Sequence, residues 1–228
     1  MFENIGILVM VNGVVGQNTH RPLSIQEFRA FTLLDEYAPL IFINSKDSPN
    51  GKLFSLLHEA AHIWMGKDNF YNDRYGNANG VSDLEVICNA IAAEILVPND
   101  IFAIEWNKRN DLEWNVEKIK VLSRFFKCGA TVIARRALDN KLITKDEYDA
   151  IAKEAVEYFN QQKAEKISTG GNFYNNIAVK NDKRFVLALN SSMYEGTTQF
   201  TEVYRLTNTN RKTFSKLVEQ IRGINYGK

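Results

Sequence analysis

LFSLLHEAAHIWMG, residues 53–66, places two of the chain's three histidines, His58 and His62, on one turn of one predicted helix. At about 3.6 residues per turn, positions i and i+4 lie above one another on the same helix face, so both imidazoles can reach one metal ion. Glu59 follows the first of them, where it can take a proton from a metal-bound water. The plainer reading is a core helix in which two histidines meet by chance. Leu53, Leu56, Leu57, Ile63 and Trp64 leave the segment apolar nearly all round, which predicts a central buried helix over 52–65, stopped by Gly66. Buried His-Glu-His side chains need partners, and a metal supplies them.

The spacing is the H-E-x-x-H pattern of zinc peptidases, and a catalytic zinc usually takes three protein ligands and keeps one position for water. Glu85 is the candidate third ligand, on a helix predicted over 82–97 after the polar loop 67–81. It has a competing role, because Ser82-x-x-Glu85 also reads as a capping box in which the glutamate closes the helix start. Glu94 is a rival ligand but lies about 180° around the helix from Glu85, so only one of the two can face the histidines. The Glu85 face continues through Asn89, Ala92 and Leu96, with Cys88 beside it, small enough for close packing on the motif helix. His20, in the stretch Asn18-Thr19-His20-Arg21, reads as a surface loop residue.

The surrounding chain is that of an ordinary globular protein. Its 228 residues allow one or two domains, with 45% hydrophobic and 24% charged residues. A net charge of +1 excludes a strongly basic nucleic-acid coat but not a local basic face. Residues 180–228 hold nine Lys/Arg against four Asp/Glu, while 1–179 sum to −4. Cys88 and Cys128 lack paired or metal-type spacing and read as buried thiols in a reducing compartment. No apolar run reaches membrane-spanning length, and the first residues lack a basic signal-peptide region, so a cytoplasmic location is expected.

Residues 6–16 (GILVMVNGVVG) predict a hairpin turning at Asn12-Gly13, with further strands in 28–35 and 40–44 and a short turn at 24–27. Helices are predicted near 98–107, 114–126, 130–140 and 144–164, and after Thr169-Gly170-Gly171 at 181–194, 198–207 and 210–221.

LFSLLHEAAHIWMG at 53–66, followed by EVICNAIAAEILVP at 85–98, resembles the ImmA/IrrE family of metallo-endopeptidases, as does EFRAFTLLDEYAPLIFINSKDSP at 27–49. The likeness covers roughly residues 1–165 and starts at the sheet, without the Cro-repressor-like helix-turn-helix domain that opens many long members. Cys88 stands where the family usually has Ala and Ile91 where it usually has Phe, both apolar packing positions. The resemblance implies an α+β fold, with a zincin-like core of small N-terminal sheet, H-E-x-x-H helix and ligand helix, then a mainly helical C-terminal part. On this reading residues 1–110 form the peptidase core, 111–168 a helix-turn-helix-like region and 169–228 a small C-terminal helical unit.

His58, His62 and Glu85 are implied as zinc ligands and Glu59 as general base, with manganese an alternative metal for a His/His/carboxylate site. The strand 40–44 is expected to offer backbone groups to an extended peptide added at the sheet edge. Tyr71 and Tyr75 are loop candidates for stabilising an oxyanion. By analogy the substrate is a helix-turn-helix repressor or an antitoxin-type partner, whose cleavage derepresses a mobile-element, stress or toxin–antitoxin operon. The competing readings are a non-catalytic, metal-stabilised regulator that holds such a partner, and direct DNA binding through 116–143 or the basic tail.

Overall fold

A computed structural model describes residues 5–16, 18–66, 83–112, 114–165 and 180–223. Tyr71, Tyr75, Ser82 and Thr169-Gly170-Gly171, singled out above, lie outside these residues. The architecture is mixed α+β, a small sheet and a series of helices. The described parts fall into two compact units. One draws on Met1–Asp47, Met65–Asn72 and Thr169–Lys228, and the other on Ser48–Trp64 and Asp73–Ser168. The helices on either side of residue 110 thus belong to one unit, and the N-terminal sheet shares the other with the C-terminal helices.

In the first unit the sheet order is β1 (Leu8–Asn12), β5 (Leu40–Asn44), β4 (Ala30–Leu33). β1 runs parallel to β5, with Leu8 opposite Leu40 and Asn12 opposite Asn44, and β4 runs antiparallel on the other side. The expected hairpin at Asn12-Gly13 therefore does not form. Asn12 Oδ1 accepts the N–H groups of Gly13 (2.9 Å) and Val14 (3.4 Å), an Asx turn that ends β1 rather than folding it back. Gly13 is there for close approach, because a Cβ would stand 2.3 Å from Ser45 Oγ. The hairpin comes later, where β2 (Val14–Val15) pairs with β3 (Asn18–Pro22) around Gly16 at φ +60°. His20 lies on β3, exposed, in a strand rather than a loop.

β5 is the middle strand, paired on both sides, so it has no free edge for a peptide, contrary to the expectation for 40–44. β1 would be one open edge, and part of it is covered. Asp182 Oδ2 accepts the Val9 N–H at 3.0 Å, and the Arg184 guanidinium donates to the Ile7 carbonyl. Asp182 also caps α7 (Lys183–Tyr194) by accepting the Arg184 N–H at 2.8 Å. With α8 (Phe200–Thr207) and α9 (Arg211–Arg222), α7 encloses a small core of Val186, Met193, Val203, Phe214, Leu217 and Val218.

The second unit opens with α1 (Pro49–Met65), which starts three residues before its apolar pattern. Ser48 Oγ accepts the Gly51 N–H at 2.9 Å, and Pro49 occupies the first helical position, where its missing N–H costs nothing. Gly66 ends the helix at φ +65°. The helix is not buried all round. Ser55, Leu57, Glu59, Ala60, Ala61 and His62 are buried, whereas Leu53, Trp64 and Met65 are exposed.

Then follow α2 (Asp83–Leu96), α3 (Asn99–Asn107), α4 (Asn115–Phe126), α5 (Ala130–Asp139) and α6 (Lys145–Glu165). Val97, Phe102, Trp106, Ile119, Leu122, Ile133 and Ile151 are among the side chains of their common core. Each such side chain removed from water contributes about 1.5–3 kcal/mol. Gly129, between α4 and α5, sits where a Cβ would come 3.3 Å from the Asn50 Cβ, so α5 begins against the first turn of α1. No single helix among the described residues is long and apolar enough to cross a membrane.

Candidate metal centre

α1 and α2 meet through small side chains. Ala61, Leu84 and Cys88 form a buried cluster with Ile91 packed against it. Ala61 is one position before His62, and Leu84 one before Glu85, so the packing that brings the helices together aligns the polar groups beside it. Cys88 and Ile91 are both packing residues in this seam, as their apolar character indicates.

The Nε2 atoms of His58 and His62 are 3.1 Å apart. Glu85 spans them, with Oε2 3.1 Å from His58 Nε2 and Oε1 3.2 Å from His62 Nε2. Ligands about 2.0–2.1 Å from one zinc at tetrahedral angles stand about 3.3 Å from each other, so these three groups already have nearly the spacing of a shared coordination shell. They are also the one group of His, Cys, Asp and Glu side chains among the described residues with the convergence to hold a metal. His62 is fully buried, and the side chains of His58 and Glu85 keep 12% and 27% exposure, so the cluster is not sealed from solvent.

Burial pushes the His58 pKa below its ordinary value, opposed by the Glu85 carboxylate and helped by His62. A neutral imidazole with a free Nε2 lone pair is the metal-binding form. Phe54, one turn earlier, stacks on His58 with ring centres 6.4 Å apart. The i, i+4 spacing from Phe54 to His58 would have shown this neighbour in the sequence. Neither Nδ1 atom has a hydrogen-bond partner among the described residues, so the fit to a metal rests on the Nε2 and carboxylate convergence.

Glu59 is 4% exposed and lies on the inner side of α1. Burial, reinforced by the carboxylates of Glu85 and Glu59, pushes the Cys88 thiol up to about 11. Cys88 thus stays protonated near neutral pH and acts as packing. Burial raises Cys128 to about 11 as well, and both thiols are free. Glu94 points elsewhere, ion-paired with Arg136 at 2.8 Å and accepting the Asn99 N–H at 3.0 Å. Of the two carboxylates open as third ligand, it is Glu85 that faces the histidines.

A family model described as the IrrE N-terminal-like domain, of the M78 peptidases, matches residues 2–138. The chain belongs to this family. Its members are metallopeptidases in type, and the match spans both helices that carry the His58, His62 and Glu85 cluster. A second model, for a domain of unknown function, matches residues 181–220, the segment of α7 to α9. No curated protein and no solved structure matches the chain.

Proposed function

We propose that the chain is a zinc-dependent endopeptidase on a zincin-like core, and that it cuts a helix-turn-helix repressor or antitoxin-type partner. The observation that carries the peptidase reading is the convergence of His58, His62 and Glu85 next to the buried Glu59, in a chain of the M78 peptidase family. His58, His62 and Glu85 hold the ion, with zinc favoured by the nitrogen-rich donor set and manganese the next choice. A zinc ion in such a site supplies a Lewis acid that polarises a peptide carbonyl and makes water more acidic.

The protein's own groups do the rest. Glu59 accepts the proton of the attacking water and returns it to the amine that leaves. The repressor or antitoxin as substrate, and derepression of a mobile-element, stress or toxin–antitoxin operon as the outcome, follow the family likeness.

Co-expression of the chain with a repressor encoded beside it tests the proposal. Two discrete repressor fragments with the native chain, and intact repressor with Glu59→Gln, are expected. The loss in rate should be at least about a hundredfold, the usual contribution of a general base. An intact repressor held in a stoichiometric complex with the native, metal-loaded chain would favour the non-catalytic regulator instead.

A further inference from the structure

Among the described residues, two helix pairs are joined by three-residue connections, and these are built alike. α4 and α5 are joined by Lys127-Cys128-Gly129, and α8 and α9 by Asn208-Thr209-Asn210. Each connection opens on a residue in the left-handed region, with φ 52° at both Lys127 and Asn208. Turns of three to four residues join the helices of helix-turn-helix units, whose second helix enters the DNA major groove.

The outward faces of the two second helices differ. On α5 the basic side chains are engaged. Arg135 pairs with Asp139 at 2.9 Å, and Arg136, with only 13% of its side chain exposed, pairs with Glu94 at 2.8 Å. Ile133, Ala134 and Ala137 are buried in the unit's core. α5 is a packing helix.

On α9 the inner face is Phe214, Leu217 and Val218, and all three are buried. The outer face carries Arg211, Lys212, Ser215, Lys216, Glu219 and Gln220, all exposed. These positions repeat at i, i+4 and i+8, so they form one stripe. From Arg211 to Gln220 the stripe runs about 14 Å, comparable with a major groove about 12 Å wide. With Arg222, α9 holds four cations against a single acid, Glu219, and no ion pair among the described residues engages Arg211 or Lys212. Asn210 and Thr213 cap the helix reciprocally, which fixes Arg211 and Lys212 in its first turn, where recognition helices meet the groove. The segment is matched by its own family model, separate from that of the peptidase.

We infer that α7 to α9 form a DNA-binding helix-turn-helix unit, with α9 as the helix that enters the major groove of duplex DNA. Arg211, Lys212 and Lys216 neutralise phosphates at the groove. The inference depends neither on a metal nor on Glu59.

Fluorescence anisotropy of the full chain with a labelled mixed-sequence duplex of about 30 bp, from about 50 to 200 mM salt, tests it. Native protein should bind at low salt and weaken steeply as salt rises. Arg211→Ala/Lys212→Ala/Lys216→Ala should weaken binding at least tenfold and flatten the slope of log K against log salt by about 2–3, about one for each phosphate no longer neutralised. Lys212→Arg/Lys216→Arg should bind as the native chain does. Lys120→Ala/Arg124→Ala/Arg135→Ala, which removes equal charge from the α4–α5 pair, should leave affinity and slope unchanged. Absence of native binding at low salt would overturn the inference. So would weakened binding in the α4–α5 variant alone, or equally tight binding of single-stranded RNA with the same response to the α9 substitutions.

Discussion

His58 and His62 hold their Nε2 atoms 3.1 Å apart against a single carboxylate, an arrangement that a shared cation makes favourable and that bare burial does not. Glu85 and Glu94 then separate cleanly as test positions. Glu85→Gln removes the charged ligand and should release most of the bound metal, read by elemental analysis of the purified chain. Glu94→Gln should keep it, since Glu94 is occupied by Arg136 and the Asn99 N–H. Arg136 is nearly buried, so losing the charge opposite it should cost on the order of 1–3 kcal/mol, and the fold of the variant is checked by circular dichroism beside its metal content. Retention of metal by Glu85→Gln with its release from Glu94→Gln would reverse the assignment. His58, Glu59, His62 and Glu85 were all legible in the sequence as candidates because helix periodicity alone puts the first three on one helix and Glu85 at the start of the next. That Glu85 rather than Glu94 faces the histidines depends on where α2 lands on α1, a packing outcome in which Ala61, Leu84 and Cys88 meet.

At the level of elements, Asp182 does two jobs that no local pattern links, capping α7 and holding the outer edge of β1. Burial alone would raise its pKa, but the bonds from Arg184 and from the Val9 N–H outweigh that, and the pKa ends below the ordinary carboxylate value. A depressed folded-state pKa stabilises the fold above the unfolded value, near 3.8, and that contribution is lost as pH falls through the folded-state value. Asp182→Asn should therefore cost about 2 kcal/mol near neutral pH, in the range for hydrogen bonds to a charged group. The difference from native, followed by denaturant melts, should shrink as pH falls below 3.8 and through the lower folded-state value, and a constant difference over that fall would contradict it. Most helices were legible to within a residue or two, because breaking residues such as Gly66 and Pro98 are local signals, whereas α1 begins on the Ser48 cap, three residues before its apolar pattern. The sheet was less so. Asn12-Gly13 carries a strong hairpin signature, yet the partner of β1 is β5, separated by a long crossover that only the buried β5 and its pairing decide. The same non-local pairing put 40–44 in the middle of the sheet, where no peptide can add.

Over the whole molecule, α1 and α2 belong to the same unit as α3 to α6, so the candidate metal centre is joined to one of the two cores rather than to a loop. A ligand that binds only the folded state stabilises it by mass action. Removing the metal with a chelator should lower the melting temperature of the native chain, and readdition of zinc should restore it. In His58→Ala/His62→Ala the chelator should have no effect. The three-segment order expected from sequence did not anticipate that residues after 180 return to the N-terminal sheet, because the bonds of Asp182 and Arg184 to β1 and to Ile7 before it span most of the chain. The proposed peptidase activity depends on an ion held by the His58, His62 and Glu85 cluster. The most direct measurement is the metal content of the purified native chain beside His58→Ala/His62→Ala, by inductively coupled plasma mass spectrometry. About one divalent ion per native chain and almost none in the double variant is the expected result for a three-ligand site, and equal metal content in the two proteins would contradict it.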